Sequence, residues 1–198
     1  MKKILIGALL SFISLSTFAG YLSSEFQVGT TNQSLGGESG TGISFGLKGA
    51  FNIDRYSGIE LGYQNYGEAK LSFGHGEFGE TDQTLNSHSI DLGLKGMLPL
   101  RDGFSLNARI GLSYWRYESS VFEQWYVGRV SKFNDSGINV YYGISGQYAI
   151  YGNWDIGLLF QHIELSLAPI TNIERMSFHG RSGDLSLNTF ALTTGYKF

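Results

Sequence analysis

The sequence predicts an all-β chain: an eight-stranded up-and-down antiparallel transmembrane β-barrel with long extracellular loops and short periplasmic turns. Three observations carry that expectation. The chain opens with an export leader, no later stretch is apolar enough to be a membrane helix, and period-two alternation returns eight times between turn signals. Aromatic residues make up 15% of the chain and prolines number only 2, a balance that suits strands.

The leader comes first. In "MKKILIGALLSFISLSTFAG" Lys2 and Lys3 precede an apolar run from Ile4 to Ile13, and Thr17-Phe18-Ala19 offers small residues for cleavage. Residues 1–19 read as a secretory signal peptide and 20–198 as one barrel domain. The apolar run is shorter than the roughly 20 residues a spanning helix needs. Losing Lys2 and Lys3 takes the formal charge from −3 to −5. Cysteine is absent, which removes disulfides and thiolate metal sites, and the slightly acidic balance gives no sign of a nucleic-acid partner. No cofactor is expected.

Strands are expected over 21–30, 43–53, 58–66, 88–98, 104–117, 138–150, 154–164 and 186–198. In the second, Ile43, Phe45, Leu47, Phe51 and Ile53 share a face; in the fourth, Ile90, Leu92, Leu94 and Leu98. The fifth aligns Leu106, Ala108, Ile110, Leu112 and Tyr114, and the sixth Ile138, Val140, Tyr142, Ile144, Tyr148 and Ile150. The eighth sets Phe190, Leu192, Tyr196 and Phe198 against Ala191, Thr193, Gly195 and Lys197. The connections "DRYS", "LRDG" and "YGN" are tight. Those at 31–41, 67–87, 118–137 and 166–184 are read as long loops, the alternation of an outer-membrane barrel.

The opposite faces carry one glycine per strand together with Glu25, Glu60, Asp91 and Asp155 against Lys48, Lys95, Arg109 and Lys197. An eight-stranded barrel has an interior just wide enough for side chains, so the polar face is expected inside and the apolar face toward lipid. Four acids and four bases then read as a lumen ion-pair network that closes the interior, with Trp115 and Tyr141 also inward. Tyr196 and Phe198 are expected as membrane-interface aromatics where the last strand closes on the first.

"ELGY" in the third strand, "GLKG" at 46–49 and again at 93–96, and the closing "GYKF" resemble the small eight-stranded outer-membrane barrels of the opacity-protein and outer-membrane-protein-A transmembrane type. The resemblance covers the mature chain through pattern more than through one motif. It implies residence in the bacterial outer membrane among lipid and lipopolysaccharide. It also implies that Phe198 is part of the signal read by the barrel assembly machinery. Thr193 stands where the family's terminal pattern favours glycine, with Gly195 nearer the end.

For function, the third loop is the strongest candidate. Phe122, Trp125, Tyr126 and Phe133 form an aromatic set in an exterior segment, and exposed apolar patches mark interaction sites. The expected role is a monomeric, non-enzymatic, porin-like surface protein acting in adhesion toward a host or cell-surface ligand, and in envelope structure. Two alternatives are a narrow pore and a lipid A-modifying enzyme built on His162, Glu164 and Ser166. Against the enzyme, the residue two after His162 is a glutamate, not a nucleophile. His75, His88 and His179 show no metal-ligand spacing.

Overall fold

The computed structural model describes residues 22–74, 80–123, 129–167 and 184–198. Eight antiparallel strands follow in order: β1 (Leu22–Leu35), β2 (Glu38–Asn52), β3 (Ser57–Gly74), β4 (Glu80–Pro99), β5 (Phe104–Glu123), β6 (Arg129–Tyr151), β7 (Trp154–Leu165) and β8 (Leu185–Lys197). Each pairs with its neighbour in sequence, and β8 returns to β1 from Ser23↔Lys197 to Leu35↔Leu185, which closes the barrel. Closure leaves no open sheet edge in the hydrocarbon, where an unpaired backbone group would find no water. Even Phe198 is tied in, its N–H donating to the Leu22 carbonyl at 3.0 Å.

At one end the turns are short, as the sequence indicates. Asp54 accepts the N–H groups of Tyr56 and Ser57, both at 2.7 Å, and ties the first. Asp102 and Gly103 take positive φ in the second, and Gly152 in the third. The other end corrects the expected loops. Residues 31–41 do not form a long loop: β1 runs to Leu35 and β2 begins at Glu38, so Gly36 and Gly37 alone connect them, at φ 62° and 96°. Two successive positive-φ residues make the hairpin turn that matches strand twist. Likewise β3 to β6 extend through much of 67–87 and 118–137, reaching 18 to 23 residues each.

The extension rests on a change of face. Along the membrane belt apolar residues point out, as Leu92 (56% exposed) and Leu112 (54%) show. Toward the long-strand end the pattern inverts. In β5 the outward Tyr114 gives way to Arg116 and Glu118, while Trp115 and Tyr117 are buried inside. In β8 the outward Phe190 gives way to Asn188 and Ser186, with Leu187 and Leu185 buried. The same switch falls at Ile90/His88 and Tyr63/Asn65. These positions share register rows, Tyr63↔Ile90↔Tyr114↔Ile138 and Phe160↔Phe190↔Thr30↔Ile43, so the switch circles the barrel. Below it the outside meets lipid. Above it the barrel has an apolar interior and a polar exterior, as a water-soluble sheet does.

A bulge between Asn65 and Glu68 lets Tyr66 and Gly67 both face inward. Gln33 Nε2 donates to both of their carbonyls, at 3.3 and 2.9 Å, and satisfies the interrupted ladder.

Candidate functional site

The interior is built in two tiers. The tier toward the short-turn end is charged. Arg109 of β5 donates from both terminal nitrogens to Glu25 of β1, each at 2.9 Å, a bidentate pair with both side chains buried. Glu25 also accepts from Gln27 at 2.9 Å and Gln147 at 2.7 Å, with Lys95 Nζ 3.8 Å away. Glu60 of β3 accepts the Tyr141 hydroxyl at 2.8 Å and lies 3.5 Å from Lys48 Nζ and 3.8 Å from Arg109 Nε. Lys48 reaches Asp91 at 3.5 Å and Gln161 at 2.9 Å, and its ammonium sits 4.7 Å from the centre of the Tyr141 ring. Asp91 accepts from Ser89 and Ser113 at 2.8 and 2.6 Å. The inward glycines make room for this layer. At Gly93 a Cβ would collide with the Tyr141 hydroxyl.

Asp155 and Lys197 stand apart. Their charges are 3.8 Å apart, but the Lys197 side chain is 58% exposed, so it guards the rim rather than lining the lumen. Beneath the network a polar vestibule of about 100 Å³ opens at the short-turn end, with Glu25, Lys95 and Asp155 in its wall.

The second tier is apolar. Leu71, Leu85, Trp115, Tyr66 and Tyr141 are each at most 1% exposed, and they pack with Leu35, Tyr117, Ile163, Leu165, Leu185 and Leu187. Tyr66 stitches the tiers together, its hydroxyl 3.0 Å from Ser89, which in turn binds Asp91. Sequence alternation places Trp115, Tyr141 and Gln147 inward; the rest of the plug and the bridging Gln27 and Gln161 emerge only from the fold. The available signal was the inward alternation of Leu85, Tyr117, Ile163 and Leu187, which lay in stretches read as loop or were outweighed by the outward pattern.

Outside, aromatic side chains collect at the short-turn end. Trp154 lies 4.9 Å from Tyr196, Tyr196 is edge-on to Phe198 at 4.9 Å, and Phe104 meets Tyr148 at 4.7 Å. His162 lies near the switch row, its Nδ1 2.8 Å from Asn188 Oδ1 and its ring 5.0 Å from Tyr142. Ser166 instead accepts from Asn139 at 3.2 Å, so the two are engaged by different partners. Phe122 and Phe133 fall on the backbones of β5 and β6; their side chains, and Trp125 and Tyr126 altogether, lie outside the described residues.

The family model of the outer membrane protein β-barrel domain matches residues 5–198. Among solved structures, Neisserial surface protein A covers 89% of this chain and 97% of its own at 15% identity, with a TM-score of 0.60. OprG of Pseudomonas aeruginosa covers 91% and 97% at 10% identity, TM-score 0.59. Ail, the attachment invasion locus protein of Yersinia pestis, covers 90% and 99% at 14% identity, TM-score 0.52, in complex with the heparin analogue sucrose octasulfate. At these identities the likeness shows the fold. No curated protein matches the sequence significantly.

Proposed function

The chain belongs to the outer membrane protein β-barrel family and resides in the bacterial outer membrane; from that premise we propose that it acts as a non-enzymatic surface protein whose extracellular hairpins attach the cell to a host or cell-surface ligand. The observation that carries this reading is the filled interior. With a buried ion-pair layer under a buried apolar plug, the surfaces left to act are the exterior ones. Strands β3 to β6 rise beyond the switch row as a four-stranded wall, polar on the outside where its side chains are described, and present the third loop at its tip. Ail, by its name, serves attachment and invasion on the same fold. Residues 1–19 act as the export signal, Phe198 is read by the assembly machinery, and lipid and lipopolysaccharide surround a monomer.

The test is attachment of bacteria carrying the intact protein, a Trp125→Ala/Tyr126→Ala variant, or a version with a shortened third loop, to epithelial-cell monolayers. Weakened attachment with unchanged surface abundance is the expected result, since aromatic anchors dominate interface energies. Unchanged attachment in both variants removes the third loop as the contact. An enzymatic reading built on His162 is tested separately by mass spectra of lipid A with and without His162→Ala, which are expected to be the same.

A further inference from the structure

The lipid-facing wall carries a feature that neither barrel closure nor the attachment role requires. A furrow of about 920 Å³ runs obliquely across the outside between two adjacent register rows. One row passes from Phe190 through Phe160 and Ile144 to Ala108 and Gly96. The other passes from Leu192 through Leu158 and Gly146 to Leu106 and Leu98. Gly96, Ala108 and Gly146 deepen it where every neighbour is bulky.

Those two glycines are not imposed by packing. A Cβ built on Gly96 finds nothing nearer than the Ala108 carbonyl at 3.8 Å, and one on Gly146 nothing nearer than Leu106 at 4.0 Å. A side chain would fit, and glycine weakens a strand. The space above them is therefore kept open at some cost to the barrel.

Shape and position identify the occupant. The furrow crosses β4 to β8 and reaches β1, six of the eight strands, over about 24 Å at ~4.8 Å per strand. A rigid convex partner such as a second barrel touches only a few adjacent strands, whereas a flexible hydrocarbon chain can follow a path around the wall. At the periplasmic end Tyr56 lines the furrow. The Arg55 guanidinium lies 4.5 Å from the centre of that ring, exposed on the rim where the vestibule wall meets the furrow and beside the Asp54 carboxylate, with no salt bridge among the described residues. It stands at the headgroup level of the inner leaflet, with its donors available for a phosphate.

We propose that the furrow is a binding site for one glycerophospholipid of the inner leaflet, its acyl chains running from Leu98 and Gly96 past Ala108 and Gly146 to Leu158 and Leu192, and its phosphate on Arg55. The site is independent of the extracellular hairpins.

The full-length mature protein is reconstituted in phosphatidylethanolamine vesicles containing a trace of phosphatidylethanolamine with a photoreactive acyl chain, and cross-linked peptides are mapped. The expected labelling is several-fold denser along Leu98–Gly146 than on the opposite wall at Leu47 and Leu61. Gly96→Leu/Gly146→Leu should abolish that enrichment while leaving the heat-modifiable gel mobility of a folded barrel, and Arg55→Gln should release the labelled lipid more readily on detergent extraction. Adding lipopolysaccharide should not displace the label. Even labelling around the wall, enrichment undiminished in a folded glycine variant, displacement by lipopolysaccharide, or barrel-to-barrel cross-links through the furrow would each overturn the assignment.

Discussion

Arg109 and Glu25 are the residues on which the lower interior turns. Both are buried, and neither can be left alone cheaply, because an unpaired charge in the barrel has lost its water without gaining a partner. Arg109→Met should therefore destabilise the barrel by about 3–5 kcal/mol, read as a lower urea midpoint in vesicles. Adding Glu25→Met should return much of that loss, since removing both partners removes the orphan; a double variant as unstable as the single one would show that packing, not charge, is at stake. A smaller effect belongs to Asp54 in the first periplasmic turn. The Tyr56 N–H, then the Ser57 hydroxyl and N–H, hold its carboxyl below the usual carboxylate range. A depressed value stabilises the turn at neutral pH, and the contribution is lost as pH falls through it. Protection of the turn amides, taken against the intrinsic exchange rate at each pH, should fall on acidification in the native protein and become less pH-dependent in Asp54→Asn.

At the scale of strands, the change of face decides where the membrane ends. Leu92 and Asn86 both point outward on β4, below and above the switch. Leu92→Arg should cost about 2–4 kcal/mol in vesicles and Asn86→Arg about 0–1 kcal/mol, in line with depth-dependent costs on barrel walls. Leu85, next to Asn86 and above the switch but inside, should respond as a core residue: Leu85→Ala is expected to cost about 2–5 kcal/mol. Equal costs for the two arginine variants would place the boundary elsewhere. This inversion also explains which parts of the fold were legible in the sequence. Runs such as Ile43–Ile53 and Ile138–Ile150 keep one apolar face throughout, and their strands were readable. Beyond the switch, Glu68 to Leu71 and Thr84 to Ser87 alternate with the opposite phase, so a search for outward apolar residues takes them for loop. Gly36-Gly37 was a turn signal, but the polar residues flanking it obscured the strands. The acids and bases of the lumen were legible because charge has few places to go in a membrane wall. The bridging Gln27 and Gln161 were not, because a glutamine's partners depend on what crosses the lumen from other strands.

For the whole molecule, the two tiers make the barrel a sealed scaffold. Ions entering from the periplasm meet a small vestibule, then Arg109, Glu25, Lys48 and Glu60 tied to one another, then Tyr66, Trp115 and Tyr141 with at most 1% exposure. Wide aqueous channels belong to barrels with many more strands. On the proposed attachment role, a filled interior leaves the exterior as the platform. The measurement that bears most directly on this is conductance of the purified, heat-modifiable protein in planar bilayers. The sealed barrel predicts no resolved single-channel current, and none after Arg109→Met while the plug remains. Stable, discrete currents from the unmodified protein would contradict it.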